Sequence, residues 1–167
     1  GIILARLLSP SEFGLIGMIT IFITLAESLA SGGFVQALIR KNNCNSADYN
    51  TAFLFNIIVA STFYFVLLVI APLIAGFYNQ PSLTQIIRIL CITIVIDSLS
   101  FVQRAKLLKK IDFKIFARIS IISQTLSGIF GIVLAFKGFG VWSLVIKMIS
   151  SRVFEGFQLW LFNKWLP

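Results

Sequence analysis

The chain has 167 residues, 58% of them hydrophobic and 12% charged, with a mean hydropathy of +0.97. Soluble domains carry roughly a quarter charged residues, so this composition excludes one and points to an all-α, polytopic membrane protein. A net charge of +8 would suggest nucleic acid in a soluble chain, but here the charge gathers between apolar segments, where anionic membrane lipid is the expected partner and nucleic acid is not.

Residues 1–8 read as the tail of a helix already under way, so the chain is expected to be a fragment with a truncated first span. Ser9, Pro10 and Glu12 carry the signals of a helix start. From Phe13 to Ile39 the only charge is Glu27, and the stretch is long enough to cross the hydrocarbon core. A polar loop follows over 40–48. Thr51 to Tyr78 is a second, uncharged span in which Pro72 is expected to bend the far end, and 79–82 is a turn. Leu83 to Val102 is a third span, interrupted by Arg88 and Asp97. Arg104, Lys106, Lys109, Lys110, Lys114 and Arg118 then form a basic anchor opposed only by Asp112. Ile119 to Phe136 is a fourth span, 137–140 a glycine hairpin, and Val141 to Phe162 a fifth span bracketed by Trp142, Trp160 and Trp165. Tryptophans so placed are expected at the membrane interfaces.

Alternation of five complete spans puts Arg40, Lys41, the 104–118 cluster and Lys164 on one face, against Lys137 and Arg6 on the other. Positively charged loops stay on the cytoplasmic side, so the first face is expected to be cytoplasmic. The basic anchor also places Leu107, Leu108, Ile111 and Ile115 in one arc, which allows either an interfacial helix on anionic lipid or plain helix ends joined by a solvated loop. Cys44 and Cys91 give neither a disulfide framework nor a metal site, and the absence of histidine removes the commonest metal ligand and general base.

Several stretches together resemble the bacterial polysaccharide exporters of the multidrug/oligosaccharidyl-lipid/polysaccharide exporter superfamily. They are 5–14 (ARLLSPSEFG), 33–40 (GFVQALIR), 74–78 (IAGFY), Asp112-Phe113, 138–142 (GFGVW) and 165–167 (WLP). The resemblance implies a flippase for lipid-linked O-antigen, capsule or exopolysaccharide units in the inner membrane, built from two six-helix lobes. Residues 1–167 would be a single membrane domain, most of the N-terminal lobe, with the C-terminal lobe as a missing partner. It also implies an undecaprenyl-diphosphate-linked glycan as substrate, no enzymatic activity, and no cofactor beyond an H⁺ or Na⁺ gradient. It brings no catalytic motif, so the site residues rest on physical argument.

A charge at the membrane centre costs roughly 2.5–3.5 kcal/mol on insertion scales, so it faces a cavity or a partner. Arg152 lies midway along the last span, with Lys147 and Glu155 on the same side of the helix. One reading is a cationic wall of Arg152, Lys147 and, from the third span, Arg88, gripping a diphosphate. The other is an internal Arg152–Glu155 pair at i,i+3 that lets the span insert. Glu27, Asp97 and Glu155 are candidates for ion coupling; Glu27 or Asp97 could instead pair with Arg88 or Arg152 on a neighbouring helix. Arg88 and Asp97, nine residues apart, fall on opposite faces. Ser120, Ser123, Ser127, Gly131 and Ala135 form a small-residue stripe expected to pack a neighbouring helix. Two other functions compete. A membrane-embedded polysaccharide polymerase or glycosyltransferase would need a carboxylate cluster or a large loop, and a drug exporter would favour an apolar or acidic cavity.

Overall fold

The computed structural model describes residues 9–31, 38, 45–109 and 113–163. They form an all-α membrane bundle of six helical segments: α1 (Pro10–Ser31), α2 (Ser46–Phe77), α3 (Ser82–Leu90), α4 (Ile92–Lys109), α5 (Phe113–Phe136) and α6 (Val141–Asn163). The starts and stops follow local chemistry. Ser9 precedes α1, and its backbone N–H donates to the Glu12 carboxylate at 2.8 Å, offsetting a donor the helix cannot satisfy itself. At α2 the same role falls to Asp48, which accepts from the Asn45 N–H at 3.0 Å.

The ends of α2 and α5 are built alike. Asn79 (φ 53°) and Gly138 (φ 81°) take the left-handed conformation, and the next residues, Gln80 and Phe139, bond back to the Ala75 and Leu134 carbonyls. That is a Schellman stop, for which Gly and Asn are the preferred residues. α2 runs through Pro72 without a break in the helix.

Among the described residues, four stretches are long and apolar enough to cross a membrane by length and composition: Pro10–Leu29, Ala47–Phe77, Ser82–Lys109 and Lys114–Phe136. The expected fifth, α6, has 23 residues but falls short by that measure, because Lys147, Arg152 and Glu155 interrupt its apolar run. The third span is longer than the sequence implies. It breaks only at Cys91, which itself keeps helical angles, and it continues past Val102 to Lys109. Arg104, Lys106 and Lys109 therefore stand on a helix rather than in a loop. The truncated first span, Cys44, Lys110, Ile111, Asp112, Lys164 and Trp165 lie outside the described residues.

The α1 start, the α2–α3 turn and the α5–α6 hairpin share one end of the bundle. There, a Cβ on Gly140 (φ 52°) would come within 2.5 Å of the Glu12 carboxylate. A large apolar core fills this end, with Ile19, Leu83, Ile86, Leu90, Ile94 and Val145 almost fully enclosed. At the opposite end, Ala52, Phe53, Phe101, Val102 and Ala105 form a smaller cluster, and Leu107, Ile119 and Leu159 another. Outward-facing residues such as Ile58, Val69, Leu73, Ile121 and Phe157 are apolar and exposed, as a lipid-facing surface requires.

The small-residue stripe packs α5 on α6. Ser123 and Ser127 are buried, Gln158 donates to the Ser123 hydroxyl at 2.9 Å, and a Cβ on Gly131 would meet the Lys147 stem at 3.0 Å. α4 approaches α6 just as closely at Gly156, where a Cβ would sit 2.6 Å from the Ser100 hydroxyl. Close backbone approach through small residues is the usual substitute for hydrophobic attraction between helices in lipid.

Candidate functional site

The α4–α6 contact brings together charges that are far apart in sequence. Arg152 of α6 reaches away from its own helix: its Nη2 lies 3.5 Å from Glu27 of α1 and its Nη1 3.3 Å from Asp97 of α4. Arg104 of α4 reaches the other way. It donates to Glu155 of α6 at 2.9 Å and stands 3.6 Å from Asp97. Five side chains on three helices thus form one chain of ion pairs, Glu27–Arg152–Asp97–Arg104–Glu155. All are partly shielded from solvent, with Asp97 joining the two arginines.

The internal Arg152–Glu155 pair suggested by the i,i+3 spacing is not what forms. Gly156 and Ser100 let α4 come so near that each charge finds a partner across the helix interface instead. Asp97 and Glu27 do pair with Arg152, one of the two arginines the sequence offered them. Arg104 is the member that sequence reasoning missed. In the sequence it stands with the lysines of the basic anchor, yet it follows Asp97 by seven residues, roughly two helical turns, and so shares its face.

On one side of Arg152 a cavity of about 250 Å³ opens, lined by Gln124 of α5 and by Lys147, Met148, Ser151, Arg152 and Glu155 of α6. Lys147 and Arg152 therefore do line one polar cavity. Arg88 does not join them. It stands on the exposed face of α3, opposite the buried Leu83, Ile86, Ile87 and Leu90. Chemically, the cavity offers one ammonium, one guanidinium already shared with two carboxylates, a hydroxyl, an amide, and the Glu155 carboxylate, which Arg104 holds at 2.9 Å. Such a lining suits a polar ligand better than an apolar one, with Lys147 and Arg152 as its cationic groups.

The rest of the basic anchor is dispersed. Lys106 lies over the Tyr49 ring at 4.5 Å, Lys109 donates to the Leu38 carbonyl at 3.2 Å, and Lys114 and Arg118 are exposed on the first turns of α5. Leu107 and Ile115 pack against Ile119 and Leu159, so 113–118 begins α5 rather than forming a separate interfacial helix. Trp160, expected as an interfacial anchor, braces α6 to α4 by donating to the Leu99 carbonyl at 3.2 Å.

A bundle of apolar, lipid-facing helices with an ion-pair chain and a polar cavity inside it defines a multi-pass membrane protein with charge at its centre. The chain belongs to the polysaccharide biosynthesis protein family, whose model matches residues 3–167. It is similar to the succinoglycan biosynthesis transport protein ExoT of Rhizobium meliloti, with 26% identity over 165 residues, 99% of this chain and 33% of that one. The teichuronic acid biosynthesis protein TuaB of Bacillus subtilis is 29% identical over 144 residues, covering 85% of this chain and 30% of its own. The lipopolysaccharide biosynthesis protein WzxC of Escherichia coli is 23% identical over 111 residues, 66% of this chain and 23% of that one. The chain thus spans a third or less of the length of these relatives. No solved structure matches it. The family and these relatives are named for polysaccharide biosynthesis, and one of them, ExoT, is named for transport.

Proposed function

We propose that this chain is part of a flippase that carries a lipid-linked oligosaccharide across the bacterial inner membrane, with the basic end of the bundle cytoplasmic. The observation that carries the proposal is the polar cavity beside Arg152. A diphosphate headgroup leaving water needs fixed positive charge inside the membrane, and Arg152 and Lys147 offer it in one cavity. The relatives' names, which speak of succinoglycan transport and of teichuronic acid and lipopolysaccharide biosynthesis, support a glycan cargo. The ion-pair chain has three carboxylates for two guanidiniums, with the Lys147 ammonium beside it in the cavity. Carboxylates held inside the membrane support coupling to H⁺ or Na⁺, with Glu27, Asp97 and Glu155 as the acceptors.

The test is complementation of a strain lacking its own copy of the gene, scored by surface polysaccharide at matched membrane abundance. Arg152→Ala should abolish export. Arg152→Lys should restore only part of it, because an ammonium lacks the two-pronged donor geometry of guanidinium. Export by Arg152→Ala at the parental level would overturn the reading.

A further inference from the structure

The two arginines of the ion-pair chain are held differently. Arg104 grips Glu155 at 2.9 Å, the length of a strong charge-assisted hydrogen bond. Arg152 is held at 3.3 and 3.5 Å, by one carboxylate on each of two other helices. Glu27 is held loosely too: its Oε1 is buried without a hydrogen-bond partner among the described residues. Arg152 is also the one arginine of the chain that lines the cavity. Its guanidinium is thus a loosely ligated cation, shared between two internal anions and a space able to admit an external one.

Carboxylates and phosphates bind guanidinium through the same donors and in the same planar geometry. A phosphate entering the cavity would compete with Glu27 and Asp97 for the charge of Arg152 and for its two terminal nitrogens, which those carboxylates approach at 3.5 and 3.3 Å. We infer that Glu27 and Asp97 are resident anions on Arg152, and that a phosphate-bearing headgroup binds by displacing them. Because the two carboxylates belong to α1 and α4 and the arginine to α6, the exchange loosens α1 and α4 from the middle of α6. The Arg104–Glu155 bond stays as the hinge side of the contact. Headgroup binding and the helix arrangement are then linked, since a ligand shifts a conformational equilibrium only through its differential affinity for the two states. This inference rests on the flippase reading for its ligand class, and it adds a competitor that the reading does not require.

The test is equilibrium binding to the purified, detergent-solubilised protein of two probes: inorganic diphosphate, and a short-chain prenyl diphosphate as the lipid form of the same group. Glu27→Gln removes one resident charge with little change of shape, and Asp97→Asn, also nearly isosteric, serves as the second variant. Competition predicts that each tightens binding by about tenfold, within the usual range for linked equilibria. A carboxylate that only braces the bundle would give weaker or unchanged binding, and that result in both variants overturns the inference. Tighter binding of the prenyl form assigns the displacement to a lipid headgroup, and equal binding assigns it to free diphosphate; either upholds competition. Arg152→Lys separates the two levels. If it weakens binding while Glu27→Gln and Asp97→Asn change nothing, only the resident-anion inference fails. If Arg152→Lys also has no effect, or if neither probe binds the parent protein, the flippase reading fails with it.

Discussion

The two halves of the bundle are held together by opposite means. Toward the end bearing the 9–12, 78–82 and 137–140 turns, α3 buries one whole face and the helices meet through branched aliphatic side chains. From the middle to the other end, the apolar clusters are small and an ion-pair chain runs between them across α1, α4 and α6. In water the first half would be the stronger, since burial of apolar area drives folding. In lipid the order is expected to reverse. Lipid tails are as apolar as leucine, so only packing contacts remain to favour the aliphatic half, whereas an ion inside the membrane must keep its partner. The aliphatic half is suited to staying fixed. The ionic half has alternatives, because its partners can be exchanged for others of the same charge.

The largest effect is expected at Arg104. Arg104→Met leaves Glu155 without its cation and should lower stability by about 2–3 kcal/mol, below the roughly 3–5 kcal/mol of a fully buried pair because Arg104 keeps 28% of its side-chain exposure. Thermal melts in detergent should also show most of the loss recovered in Arg104→Met with Glu155→Met, where Asp97 retains Arg152 and no unpaired ion remains. A double variant no better than the single one would mean that Arg104 matters for packing and not for charge.

That Arg104 belongs here at all was readable only in part. Some helix boundaries were legible because they are set locally: Ser9 and Glu12 start α1, and Gly138 stops α5, whereas α4 runs past its expected end at Val102 to Lys109. The stripe from Ser120 to Ala135 pointed correctly to a close helix contact, since a repeat of small residues has few other uses on a lipid-facing helix. Ion partners were harder. The i,i+3 spacing of Arg152 and Glu155 is a real local preference, but it lost to inter-helix contacts that depend on Gly156 meeting Ser100. Nothing in the sequence says which helix a glycine will face. The Asp97–Arg104 spacing did carry a signal, masked by the lysines that follow.

Gly156 itself gives the next prediction. In Gly156→Ala the new methyl would lie 2.6 Å from the Ser100 hydroxyl, so α4 and α6 must part slightly or Ser100 must turn. Overpacking of this kind typically costs about 1–3 kcal/mol, and here the low half is expected because one rotation relieves part of it. Ser100→Ala removes the offending oxygen and leaves its Cβ 3.9 Å away, in ordinary contact. The pair Gly156→Ala with Ser100→Ala should therefore melt close to the parent, while Gly156→Ala alone should also speed amide hydrogen exchange along the α4–α6 contact. Equal melting of the single and double variants would place the strain elsewhere.

The smallest effect is expected in the aliphatic half. Leu90 is fully enclosed among α3's neighbours, and in a water-soluble core its replacement by alanine would cost about 2–5 kcal/mol. Part of that cost is transfer of the side chain out of water, and it vanishes when the separated helices would meet lipid instead. The remaining loss of packing contacts should bring Leu90→Ala to about 1–2 kcal/mol in a bilayer or lipid-like detergent, below the cost of Arg104→Met. Both variants measured in the same micelles, by titration with a denaturing detergent, decide the matter. A Leu90→Ala cost above that of Arg104→Met would invert the comparison: the aliphatic half would then be the principal clamp, and the ion-pair chain a polar seam lying against it.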